Sequence, residues 1–205
     1  MPKETFFNLP AEKRDLIIKV VTDEFAAFNY EQASVNRIVT NAGISKGSLY
    51  QYFEDKRDIY QYLIDLMTKE KVKYVSPVMQ NPEDHDIFTL IRELYVSGLR
   101  FVLENPKFGA IGKRFMEIKN SVVYDEIMHG NRDAANQFFR ILLEKAVDKG
   151  EIRSDLDIPM FAYMIGAMNT QMIEYFTDFE TFEDDDKLLE TVDIFIEFLK
   201  NGIEA

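Results

Sequence analysis

Apolar residues recur every three to four positions along most of the chain, and no stretch sustains the strict alternation of a half-buried strand. The pattern predicts an all-α protein. The first predicted helix opens at Pro10, a residue suited to a first turn, and carries Leu16, Ile17, Val20, Val21, Phe25 and Phe28 on one stripe. The pattern breaks over residues 29–33. Ser34 then caps a second helix with Val35, Ile38, Val39 and Ala42 on one side, and Gly43 can close it in a left-handed turn. Ser45 caps a third, short helix bearing Leu49 and Phe53. Asp55 caps a fourth, with Asp58 at N3 as in a capping box and Ile59, Leu63, Leu66 and Met67 turned inward.

The stretch 76–86 holds two prolines and little periodicity, so a domain boundary is expected there, giving domains 1–75 and 76–205. Further helices are predicted over about 87–104, 107–119, 124–149, 159–178 and 187–201. The acidic run Glu183 to Asp186 reads as a solvated N-terminal cap for the last of these.

Residues 34–53 carry the strongest local signal. Two short helices joined by a glycine-containing turn form a helix-turn-helix pattern, in which the second helix presents its outer face to the major groove. Leu49 and Phe53 at i and i+4 anchor that helix underneath. Lys46, Gly47, Ser48, Tyr50, Gln51 and Tyr52 occupy the rest of its surface, with no acid among them. Gly47 and Ser48 let backbone N–H groups approach phosphate, tyrosine hydroxyls and lysine reach phosphate oxygens, and Gln51 has the geometry to read an adenine edge. Blander readings stand beside this one. The two helices can be an ordinary tight pair, Tyr50 and Tyr52 half-buried surface aromatics, and Lys56 an opening residue of helix four. Lysine there opposes the helix dipole, which favours another role.

Composition changes the picture in one respect. A formal charge of −12 argues at first against nucleic acid, yet residues 1–75 balance eleven Lys/Arg against eleven Asp/Glu, so the excess acid lies beyond them. Hydrophobic residues at 46% supply a core, and without cysteine there is no disulfide framework or thiolate metal site. No leader-like or membrane-length apolar run is seen, which predicts a soluble, cytoplasmic chain with no membrane partner.

The run Ala42-Gly-Ile-Ser-Lys-Gly-Ser-Leu-Tyr-Gln-Tyr-Phe-Glu-Asp-Lys56 resembles the signature of TetR-family transcriptional regulators, with similarity from about Pro10 to Leu66. Asn29 stands where the family usually has glycine, and Tyr52 where many members have histidine. The resemblance implies phosphate contacts from Ser45, Lys46, Tyr50 and Lys56, and from Ser34 and Arg37 at the start of helix two. It implies base contacts among Gly47, Ser48, Gln51 and Tyr52. It further implies a homodimeric repressor on a palindromic double-stranded DNA operator, released when a small effector binds a larger C-terminal helical domain; the acidic charge of that domain favours a cationic effector beside an apolar one.

That second domain has no chemical motif of its own. Its Phe- and Met-rich faces serve either as plain core or as a pocket lining, for which Phe101, Phe115, Phe138, Met164, Met168 and Asn169 are candidates. Leu188, Val192, Phe195 and Leu199 form one stripe of the last helix, flanked by Leu189 and Ile196. With Met172 and the small Gly166 and Ala167 of the preceding helix, they suggest a two-fold four-helix interface; intrachain core is the alternative. A lone Glu126-x-x-His129 is half of a di-iron pattern. No phosphate loop or nucleophile elbow is present, so neither catalytic residue, metal nor cofactor is expected. A helical protein-interaction module without DNA is the rival function, and a metal-dependent helical enzyme a more remote one.

Overall fold

A computed structural model describes residues 2–179 and 185–203, omitting the side chains of 129–135, 169, 170, 173, 174, 176–179 and 185–188. Its helices are α1 (Glu4–Phe7), α2 (Ala11–Ala27), α3 (Val35–Asn41), α4 (Lys46–Tyr52), α5 (Lys56–Val72), α6 (Ile87–Glu104), α7 (Pro106–Glu117), α8 (Val122–Asp148), α9 (Ile158–Phe179) and α10 (Asp185–Ile203). The acid run at 183–186 and His129 lie outside the described side chains. Among the described residues, no helix is long and apolar enough to cross a membrane.

Local chemistry sets most helix ends. Ser34, Ser45 and Asp55 each accept a hydrogen bond from the N–H of the third residue of the following helix. Asp58 Oδ2 returns the favour at 3.1 Å to the N–H of Glu54, one residue before the cap. At the end of α3, Gly43 has φ +63°; its N–H reaches Thr40 O at 3.2 Å and that of Ile44 reaches Val39 O at 3.0 Å. This is a Schellman closure, whose left-handed residue favours glycine. Gly150, at φ +73°, ends α8 in the same way.

The chain divides into two compact units: residues 1–73 with 104–127, and residues 74–103 with 128–205. The division departs from the expected one, because residues 104–127 pack with the N-terminal helices. Phe115 of α7 lies between Tyr60 and Tyr124, with ring centroids 6.1 and 4.7 Å away. Arg114 Nε donates to Ala26 O at 2.8 Å, Lys107 pairs with Asp23, and Arg57 pairs with Glu126 at 2.7 Å. These are side-chain contacts across long sequence separations, invisible to helical periodicity. Nor is the 76–86 stretch an open linker. It forms short 3-10 turns at Pro77–Gln80 and Pro82–Asp84, and Val78 and Met79 pack against the second unit's core.

That core joins Ile91, Tyr95 and Leu99 of α6 to Leu143 and Ala146 of α8, Ile165 of α9, and Val192 and Ile196 of α10. Its buried Tyr95 hydroxyl donates to Ile165 O at 3.0 Å, satisfying the polar atom inside the apolar cluster. Arg92 ties α6 to Asp193 of α10 through two N–H groups at 2.5 and 3.2 Å.

Gly98 in mid-α6 has a helical backbone, and nothing lies within 4 Å of where a Cβ would sit. Gly98→Ala should therefore stabilise the protein by about 0.5–1 kcal/mol, read from the urea midpoint. Asp23 has a lowered pKa, first through its hydrogen bond from Lys107 and then through that from Lys19. The resulting stabilisation is present above the ordinary carboxylate range and lost as pH falls through the depressed folded value, below about pH 4. Thermal unfolding should therefore show wild type and Asp23→Asn converging as the medium is acidified.

Candidate nucleic-acid interface

The third predicted helix, α4, is seven residues long, too short to persist by propensity alone. It is held at both ends and from beneath. Ser45 Oγ accepts from the Ser48 N–H at 3.0 Å and lies 2.8 Å from the Ser48 hydroxyl. Leu49 and Phe53 are buried underneath.

At the C-terminal end the last four carbonyls of α4 all have partners. Leu49 O accepts from the Phe53 N–H at 2.9 Å, which is the ordinary helical bond. Tyr50 O accepts from Lys3 Nζ at 3.1 Å, Gln51 O from the Thr5 hydroxyl, and Tyr52 O from the Lys3 N–H at 2.8 Å. Between these bonds sits Phe6, fully buried, with its ring centroid 4.9 Å from Phe53, 5.4 Å from Tyr62 and 6.2 Å from Tyr52. Periodicity does not predict α1, because four helical residues cannot display a period; the sequence signal for it is the apolar pair Phe6-Phe7.

The outer surface of α4 is left to Lys46, Gly47, Tyr50 and Gln51, all exposed, with Ser45 exposed at its head and Ser48 half-buried. Tyr50, at 38% exposure, directs a phenol outward. Tyr52 does not. It is 6% exposed and packs on Phe6, so the expected base contact is corrected: positions 49, 52 and 53 share the inner face of the helix.

Two cations expected at phosphate have partners within the chain, although the Arg37 side chain keeps 44% of its surface exposed. Arg37 Nε lies 3.0 and 3.1 Å from the two carboxylate oxygens of Glu24, and Nη2 is 2.6 Å from Oε1 and 2.8 Å from Gln32 O. Its guanidinium stacks 4.0 Å above the Phe28 ring. Glu24 is buried and also accepts from the Ser34 N–H at 2.7 Å, so Ser34 and Arg37 join one network fixing the start of α3 to α2. Lys56 Nζ donates to Tyr30 O at 2.8 Å, Ala33 O at 3.3 Å and Glu31 O at 3.4 Å, above the Tyr30 ring. These three carbonyls explain why a lysine is tolerated in the first turn of α5. They account for all three ammonium donors.

The second unit rearranges the other expectations. Phe115 belongs to the first unit, Phe101 is buried against Tyr74, and Phe138 is exposed. Met164 and Met168 do meet, in an apolar depression of about 340 Å³ shared with Phe161, Ile165, Phe198 and Leu199. Asn169 and Leu188 lie outside the described side chains. Val192 and Leu199 are buried, and Phe195 and Met172 are packed against the same intrachain core, so this predicted interface stripe faces inward. Gly166 faces Phe139, its would-be Cβ 3.7 Å from that ring. Among the described residues, the exposed large apolar side chains are Met160, Tyr163, Met164 and Tyr175 on α9 and Ile194 and Phe198 on α10, the last two 63% and 66% exposed. Glu126, half of the supposed metal motif, is the partner of Arg57.

Residues 17–63 match the model of the bacterial regulatory proteins of the tetR family. Over its full length the chain is similar to a TetR family transcriptional regulator from Chloroflexus aurantiacus J-10-FL. The two are 31% identical, the match covers 100% of this chain and 99% of that one, and the TM-score is 0.77. It is also similar to the transcriptional repressor AcnR of Corynebacterium glutamicum, with 24% identity and 73% of each chain covered. The fatty acid degradation regulator FadR of Bacillus halodurans shares its fold at 21% identity, with a TM-score of 0.70 and 94% of this chain and 96% of that chain covered.

Phe6→Ala should cost about 3–5 kcal/mol of unfolding free energy in urea, the range for emptying a buried phenyl site. Arg37→Ala, which strands the buried Glu24 carboxylate, should destabilise more than Arg37→Lys, which keeps a cation there; thermal unfolding of the two variants makes the comparison.

Proposed function

Given that the chain belongs to the TetR family of bacterial transcriptional regulators, we propose that it is a repressor that grips a palindromic operator as a homodimer and lets go when a small molecule occupies its second unit. It is a DNA-binding regulator and not an enzyme. The observation that carries the reading is the outer face of α4: Lys46, Gly47, Tyr50 and Gln51 are exposed with no acid among them, on a helix braced from behind. Lys46 and the Tyr50 hydroxyl would take phosphates, and Gln51 a base edge in the major groove.

One such helix reads too few base pairs to find a site in a genome, which calls for two copies. The exposed Met160, Tyr163 and Met164 recur at i, i+3 and i+4 on α9, and Ile194 and Phe198 at i and i+4 on α10. Two copies of that pair of helices would bury these side chains in a four-helix contact. The apolar depression beside Met164 and Phe198 gives such a contact a socket.

Release would work by population shift: an effector favouring a conformation with the reading heads misplaced weakens the operator, and the operator weakens the effector equally. Residues 104–127 support a route for it. They enter the first unit covalently from the second and hold α2 and α5 through Lys107, Arg114 and Glu126.

The test is a selection of 30-base-pair duplexes, about three helical turns, from a randomised pool. A palindromic consensus is expected; failure to enrich any sequence overturns the reading. With the selected duplex, Lys46→Ala should lower the slope of log K against log salt by about one, and Lys56→Met should leave that slope unchanged. Gln51→Ala should relax preference at a single base-pair position. Phe198→Glu should yield monomers in sedimentation analysis and abolish operator binding while leaving helical content intact.

A further inference from the structure

Lys3 and Thr5 make no DNA contact in the proposed function, on which this inference rests, yet both bond to the end of α4. A helix leaves its last four carbonyls without intrahelical partners unless something else supplies the donors. Here the first of them is closed by the Phe53 N–H, and the other three are closed by two residues from the opposite end of the unit's sequence, 46 or more positions away. Those carbonyls belong to Tyr50, Gln51 and Tyr52. The first two are the residues whose side chains point outward from the second turn.

We propose that Lys3 and Thr5 are positioning residues for sequence reading: the N-terminal segment clamps the last turn of the recognition helix and so sets where Tyr50 and Gln51 stand.

Three features make the segment fit for this. Phe6, with no exposed surface, plugs it into the aromatic cluster of Phe53, Tyr62 and Tyr52, so the donors on either side are carried by a fixed anchor. The donors converge on successive residues, which a slipped or frayed last turn could not present together. The Lys3 ammonium, moreover, lies at the negative end of the α4 dipole, where a cation is favourable. Nothing in this arrangement needs Lys3 or Thr5 to meet a phosphate. That separates the proposal from a basic arm laid on the duplex, which would act through charge.

The experiment uses the full chain with Thr5→Val, which keeps the shape and removes the donor, Thr5→Ser, which restores the donor, and Lys3→Met. Affinity is measured for the duplex selected by the wild type and for a scrambled duplex, across a salt series. Losing a hydrogen bond that orders a helix end is expected to weaken Thr5→Val on the selected duplex by about 3- to 10-fold. Binding of the scrambled duplex and the salt slope should stay as in wild type. Thr5→Ser should recover the loss. Amide hydrogen exchange at residues 50–53 should quicken in Thr5→Val and Lys3→Met and remain unchanged in α2, a local effect that a general loss of stability would not produce.

The proposal is overturned if Thr5→Val discriminates the two duplexes as wild type does. It is equally overturned if exchange at 50–53 does not change. Should Lys3→Met weaken both duplexes alike and lower the salt slope by about one, Lys3 is a phosphate contact and not a clamp. If the wild type selects no duplex at all, the regulator reading falls first, and the exchange comparison still decides whether the clamp exists.

Discussion

A seven-residue helix in water does not hold itself, and everything that makes the first unit a reading head follows from the need to hold α4 from outside. Its N-terminus is capped by Ser45, its floor is the buried Leu49 and Phe53, and its C-terminal carbonyls are closed by Lys3 and Thr5. With the interior side and both ends committed to the protein, the outer side is free to carry groups chosen for a partner. Rigidity is bought on one face and chemistry displayed on the other.

The same division explains where the cations of this unit go. A neutral balance of charge over residues 1–75 looks like a supply of phosphate ligands, yet Arg37 is spent on a buried carboxylate and Lys56 on three carbonyls. Both tie the segment between α2 and α3, which sets the approach of the first helix of the motif. Lys46 stands clear at the head of α4. Cations that build the frame and cations that meet a ligand are alike in composition, and only their partners tell them apart.

The second unit shows the corresponding ambiguity for apolar residues. A helix with hydrophobic groups on more than one side needs two burial surfaces, but the stripe of α10 that looks most regular, with Val192 and Leu199, is the one that faces its own chain. Ile194 and Phe198, which follow Asp193 and Glu197 directly, are the ones turned out. Residues 104–127 behave similarly: helical by pattern, they are placed by Phe115, Arg114 and Lys107 against a unit from which 30 residues of sequence separate them.

Helix positions, caps and the turn at Gly43 could be read from the chain, because each depends on residues within four or five positions of one another: Ser45 with Ser48, Asp55 with Asp58, Ile44 with Val39. So could the exposed chemistry of α4, since Leu49 and Phe53 fix which side is inner. Beyond that range the sequence is silent. That Tyr52 joins them inside, that Lys56 and Arg37 pair with groups of their own chain, and that residues 3–6 close a helix nearly fifty positions later depend on partners brought together by packing. Long side chains reach whichever acceptor the fold brings near, and that acceptor is set in three dimensions.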